Sequence, residues 1–322
     1  MPEADVADAR VVCAPSMTTG GKRLAVLFSG QGGQQPETLH RLRAEADSEL
    51  AAALAATIPE LWDEISDSSV RIFRNRLAQP LIFGYQMTLW RRLQALLPRP
   101  VAVAGYSLGE MAACCAAGAF PASAGVSLCA RRAELMDSAF PAASGLLAIV
   151  GLKRQQAEAI AAGHGLALAI VNGPRHFVLG GAQAALAAAQ RQALAQGAER
   201  TVVLAVATPA HTPLLAAASS AFHSALAPWD QPGRLDFPVL SAIDGRAAQQ
   251  RPAALAALAK QISTPLDWAA CLANLVEMQP DRVLEIGPGN ALCRLLEEVA
   301  PGIAVRATGD FRSVEGIRRW LN

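Results

Sequence analysis

The run Val101 to Phe120, VAVAGYSLGEMAACCAAGAF, constrains the fold more than any other stretch of the chain. Small apolar residues lead into Gly105-Tyr106-Ser107-Leu108-Gly109, and an alanine-rich segment follows. This order reads as a buried strand, a tight turn and a buried helix. A strand that is apolar along its whole length is covered on both faces, as in the parallel sheets of α/β proteins. Leu24 to Gly30, LAVLFSG, repeats the texture, and the pair predicts an α/β fold with a parallel sheet.

The bulk composition agrees with a large core. Of 322 residues, 52% are apolar and 17% charged, enough to bury one large domain or two modest ones. A net charge of +1 with 5% aromatics supplies neither a basic footprint nor a stacking platform, so no nucleic-acid partner is expected. Met1 to Thr19 carries Glu3, Asp5 and Asp8 and no basic-then-apolar order. No apolar run reaches the roughly 18 residues needed to span a bilayer. The expectation is a cytoplasmic protein with a loose N-terminal tail over 1–22 and no membrane segment. The six cysteines form no CxxC pair and the five histidines no HxxxH or HExxH spacing, so no metal site is predicted and the cysteines read as small core residues.

Two textures alternate along the chain. Glu45 to Ile65 and Ser69 to Leu97 carry helical spacing broken near Asp67, and Pro98 and Pro100 close the second stretch. From 142 to 207 the order is SGLLAIVGL (strand), RQQAEAIAAG (helix), LALAIVN and HFVLGG (strands), AQAALAAAQRQALAQG (helix) and RTVVLAVA (strand, 200–207). This β-α-β-β-α-β order predicts a ferredoxin-like subdomain at 142–207. It would be inserted into a hydrolase-like α/β core made of 23–141 and 208–322. A helix over Leu214 to Leu226, a proline-punctuated stretch to Asp244, a further helix and the strand of DRVLEIGPG complete the reading.

Gly105-x-Ser107-x-Gly109 between strand and helix has the form of a nucleophile elbow, in which the sharp turn exposes the serine oxygen and the glycines admit neighbouring backbone. The Leu108 amide, at the helix start, then points where an oxyanion would form. A serine needs a base. His211, in VATPAHTPLL at the end of a predicted strand and fixed between Pro209 and Pro213, suits that role better than His40, His164, His176 or His223. No aspartate stands in an obvious third position, which leaves a backbone carbonyl to orient the imidazole. FSGQGGQ, 28–34, lacks both GxGxxG and GxxxxGK[ST], so it reads less as a phosphate loop than as a turn from which Gln31 supplies an amide to an oxyanion. Arg132, in CARRAELM, is either half of a solvated pair with Arg131 or a guanidinium for a substrate carboxylate.

GQGGQ, AQPLIFGYQ (78–86), GYSLGE, RRAELM, NGPRHFVLGG (172–181), PAHTPLL, KQISTPLDW (260–268) and EIGPGNALCRLL (285–296) resemble, in order and spacing, the malonyl-CoA:acyl carrier protein acyltransferases. The resemblance spans about 23–310. It implies a ping-pong transfer through a Ser107 acyl-enzyme, with malonyl-CoA as substrate, no bound cofactor, and a phosphopantetheine-type acyl carrier protein as acceptor. It also implies that Gln31 and Leu108 shape the oxyanion hole, that Arg132 clamps the malonyl carboxylate and that the carbonyl region of Gln261 orients His211. Tyr106, Ser29 and Asn290 depart from the usual His, Pro and Lys. GYS-x-GE with the LLPRPVAVAG lead-in is more similar to the acyltransferase (epsilon) subunit of bacterial malonate decarboxylase, which implies that complex's carrier and other subunits as partners. Fatty-acid or polyketide malonyl transfer, a serine thioesterase or hydrolase, and a non-catalytic docking subunit are the alternatives.

Overall fold

In a computed structural model of the chain, residues 22–62, 71–140 and 142–321 are described. The tail expected over 1–22 lies, but for its last residue, outside them, as does the helix break near Asp67. Two sheets organise the described residues. The larger has the order β11-β10-β1-β2-β7-β8. Its strands are β1 (Leu24–Phe28), β2 (Ala102–Gly105), β7 (Arg234–Leu240), β8 (Ala247–Gln250), β10 (Arg282–Ile286) and β11 (Ala304–Ala307). All neighbours in it pair in parallel except β7 and β8.

The smaller sheet has the order β6-β3-β5-β4-β9. It holds β3 (Ser144–Val150), β4 (Ala167–Gly173), β5 (His176–Ala182), β6 (Arg200–Val203) and β9 (Leu266–Asp267). Its first four strands, with the helices Arg154–Gly163 and Gln183–Ala195, follow the β-α-β-β-α-β order read from 142–207. The fifth was not expected: β9 comes from the far side of the chain and adds in parallel to β4.

Local chemistry accounts for the other differences. The helix Pro36–Glu45, absent from the sequence reading, starts with Pro36 in its first turn and with the Gln35 amide donating to Thr38 Oγ1. Pro59 breaks the helical stretch after Ser48–Thr57, and Asn75–Leu93 forms the long second helix. In the proline-punctuated stretch β7 carries Pro238 at the sheet margin, and its register with β8 shifts there between Arg234 and Val239. The strand expected over 200–207 stops at Val203. It has one neighbour, β3, and beyond the Leu204 amide to Leu146 carbonyl bond the chain turns toward the end of β2.

The parallel centre places the serine turn. All five residues of β1 are buried, and Phe28 stacks edge-on with Trp90, which stacks in turn on Phe237. The helix Gly109–Ala116 begins directly over β1, where a Cβ on Gly109 would lie 2.0 Å from the Phe28 carbonyl oxygen. A Cβ on Gly105 would lie 2.0 Å from the Gly109 carbonyl carbon. The turn is this tight because both glycines lack side chains. Gly109→Ala should therefore cost about 3 kcal/mol or more and lower the melting temperature by roughly several degrees. Gly163→Ala, which meets nothing within 4 Å, should melt with the wild type; coincident melts for all three proteins would refute the packing argument.

Candidate active site

Ser107 sits at the turn with φ 54°, in the left-handed region that a non-glycine residue enters only when its surroundings hold it there. The Glu110 amide and the Gln261 side-chain amide both donate to its carbonyl oxygen, which fixes the strained peptide. His211 is also left-handed, at φ 63°. Its backbone N–H donates to the Ile262 carbonyl at 2.8 Å. Its ring is buried between two contacts: Nδ1 lies 2.6 Å from the Gln261 carbonyl and Nε2 2.7 Å from Ser107 Oγ.

A carbonyl only accepts, so Nδ1 carries the ring proton and Nε2 is left to take the serine's. Burial pushes the imidazole down to about 3, with the positive charge of Arg132 helping and the Gln261 carbonyl opposing. The ring is therefore neutral across ordinary pH, with the Nε2 lone pair free to take the serine's proton. The sequence placed these two residues together and left the third position to a carbonyl; the geometry puts them in that arrangement.

Around the dyad stand the other expected residues. The Leu108 amide, just before the helix Gly109–Ala116, finds no acceptor among the described residues. Gln31 is half-buried on the turn after β1, and that turn abuts the elbow: a Cβ on Gly30 would lie 2.9 Å from the Tyr106 carbonyl oxygen. The Gln31 side chain bonds to nothing in the described protein.

The two arginines part company. Arg131 is exposed and pairs with Glu134, whereas Arg132 is fully buried in the helix Ala122–Ala139. Arg132 Nη1 donates to Gln79 Oε1 at 2.9 Å, while Nε and Nη2 have no acceptor. Burial lowers its guanidinium to about 10, still charged at neutral pH. A buried cation with two of its three guanidinium nitrogens unpartnered costs free energy until an anion reaches it.

Three features escaped the sequence reading. Glu110 is buried one turn beyond the serine, and its Oε2 accepts from the Ala242 amide and from Gln261 Nε2. Gln79 holds Arg132. Tyr106 donates its hydroxyl to Asn172 Oδ1 on β4 at 3.0 Å and sets its ring edge-on to Trp268, 5.2 Å between centroids, so it joins the elbow to the smaller sheet. Of these, Glu110 left a trace: an acid in the first turn of an otherwise apolar helix. Asn290, another departure, accepts from Arg294 at the start of the helix Ala291–Val299. Among the described residues, no cluster of His, Cys, Asp or Glu is arranged to hold a metal ion, and no helix is long and apolar enough to cross a membrane.

Comparison with known proteins places this geometry in a class. The chain belongs to the acyl transferase domain family, whose pattern matches residues 45–303. Polyketide biosynthesis protein ThaF of Burkholderia thailandensis is 30% identical over 303 residues, which are 91% of this chain and 26% of that longer protein. This chain thus spans about a quarter of ThaF. The malonyl CoA-acyl carrier protein transacylase of Bacillus subtilis is 26% identical, over 91% of this chain and 95% of its own. Among solved structures, a type II polyketide acyl-carrier protein in complex with its malonyl-transacylase is similar at TM-score 0.80 and 26% identity, over 91% of this chain and 98% of that one.

Burial raises the Glu110 carboxyl to about 8, above its ordinary 4.5. A raised folded value means that stability is fully present below the ordinary value and is lost as pH rises through about 8. A glutamine there keeps an oxygen for both donors and has no proton to lose. Glu110→Gln should therefore flatten the fall of melting temperature between about pH 4.5 and 8, and an unchanged slope would show that burial does not hold this carboxyl neutral.

Proposed function

We propose that the chain transfers a malonyl group from malonyl-CoA to the thiol of an acyl carrier protein through a Ser107 acyl-enzyme. The observation that carries this reading is the buried Arg132, two of whose three guanidinium nitrogens are unpartnered and whose charge is felt by His211. A neutral acyl chain has no use for that charge; a terminal carboxylate satisfies it. The names of the Bacillus subtilis relative and of the solved malonyl-transacylase support the same substrate.

In the first half-reaction Ser107 Oγ attacks the thioester carbonyl and His211 Nε2 takes the hydroxyl proton. The carbonyl oxygen becomes an oxyanion, held by the Leu108 amide with Gln31 alongside. As the oxyanion collapses, the carbon–sulfur bond breaks and the imidazolium, stabilised by the Gln261 carbonyl, returns the proton to the coenzyme thiolate. In the second half the carrier thiol gives its proton to His211 and its sulfur attacks the serine ester. The proton then goes back to Ser107 Oγ as malonyl leaves on the carrier.

Two carriers fit the acceptor role. Tyr106 and Asn290, where fatty-acid enzymes have His and Lys, favour the carrier subunit of a malonate decarboxylase. The relatives found by comparison favour a fatty-acid or polyketide carrier. We take the decarboxylase carrier as the physiological acceptor, and competition between the two holo-carriers for a malonylated enzyme tests it: faster discharge to the fatty-acid carrier would reverse the choice.

Mixed with malonyl-CoA and no carrier, the protein should gain one malonyl group by intact mass and keep it until a carrier thiol is added. Ser107→Ala should gain none, and rapid release of free malonate by the wild type would instead mark a hydrolase. Arg132→Ala should lose malonyl loading by a margin of about 1.5–3 kcal/mol, roughly ten- to hundredfold, while keeping acetyl loading. Equal losses for both acyl groups would remove the clamp.

A further inference from the structure

Arg132 is held by a neutral group, and the packing around that group keeps it neutral. Asn75 and Gln79 lie four residues apart on the helix Asn75–Leu93, and both are buried. Asn75 Nδ2 donates to Asp137 Oδ1 at 2.8 Å and to the Ala133 carbonyl at 3.3 Å. With its nitrogen committed twice, Asn75 presents Oδ1 to Gln79, whose Nε2 donates to it at 2.7 Å and also touches Met136 Sδ at 3.7 Å. Gln79 Oε1 is then the atom left for Arg132 Nη1. The order Asp137, Asn75, Gln79, Arg132 is a relay whose donors all point one way.

Its direction penalises an acid at position 79. A glutamate there would turn one carboxylate oxygen on Arg132 and the other on the Asn75 oxygen, which cannot donate. The nearest carboxylate on another element, Glu110, spends its Oε2 on Ala242 and Gln261 and makes no bond to Arg132. The charge of Arg132 is thereby left for whatever enters the site.

We infer that Gln79 is a positioning residue for acyl-group selectivity: by holding Arg132 through a neutral amide, it reserves the guanidinium for an acidic acyl chain. This rests on the reading of Arg132 as the carboxylate clamp.

The test compares Gln79→Glu and Gln79→Met with the wild type, loading malonyl-CoA and acetyl-CoA separately and reading kcat and KM for each. Gln79→Glu gives Arg132 an internal counter-ion. It should raise KM for malonyl-CoA and cut the malonyl-to-acetyl preference by about tenfold or more, with acetyl loading unchanged. Gln79→Met supplies no counter-ion and should keep the preference for malonyl, although its malonyl rate falls as the fork loses a support. A residue needed only for packing would lower both acyl groups together in both variants.

Should Gln79→Glu fail to fold, Gln79→Glu combined with Asp137→Asn releases Asn75 to turn its nitrogen toward position 79, and the same fall in preference is expected there. A folded Gln79→Glu protein, single or double, with an unchanged preference overturns the inference. If Arg132→Ala also leaves the preference intact, the clamp itself is wrong; if Arg132→Ala abolishes it and Gln79→Glu does not, only the role of Gln79 falls.

Discussion

The site depends on one residue that supplies no reacting atom. The Gln261 carbonyl accepts a hydrogen bond from Nδ1–H of His211, and its side-chain nitrogen reaches the Ser107 carbonyl and the Glu110 carboxyl. Three segments far apart in sequence meet there: the elbow after β2, the loop bearing His211, and the turn after the helix Arg251–Lys260. Because a carbonyl cannot lose a proton to the imidazole, it fixes the tautomer at every pH and orients the ring without adding a buried negative charge. A carboxylate in its place would raise the affinity of His211 for a proton. The carbonyl leaves burial to decide, and burial keeps the ring unprotonated with its Nε2 lone pair facing the serine.

Charge is distributed with the same economy. Glu110 and Arg132 are both buried within the electrostatic reach of each other, yet they do not touch. Burial holds the acid toward its neutral form and leaves the base charged, so the interior carries one unsatisfied cation instead of a closed ion pair. An enzyme whose substrate brings its own carboxylate has a reason to keep such an imbalance, and Gln79 shows how the packing maintains it.

Much of this was readable from the chain and some was not, for identifiable reasons. The elbow, the dyad and the β-α-β-β-α-β order are written in local signals: glycines at a turn, a histidine between prolines, periodic apolar residues. The buried state of Arg132 was left open, because RR on a helix looks alike whether solvent or a neighbouring helix covers it. Glu110, Gln79 and Asn172 were missed because their meaning lies in partners from 53 to 151 residues away, and no local pattern encodes those. The strands β7 and β8 were hidden by Pro238 and by their modest hydrophobicity. β9, two residues long, has no periodicity to detect.

That short strand has a mechanical meaning. Residues 262–265 separate Gln261 from β9, which is hydrogen-bonded into the smaller sheet beside β4. Those residues run mostly through a turn, so the connection between the two is short. A displacement of the smaller sheet therefore bears on the residue that aligns the base, and the setting of the imidazole is coupled to both sheets at once.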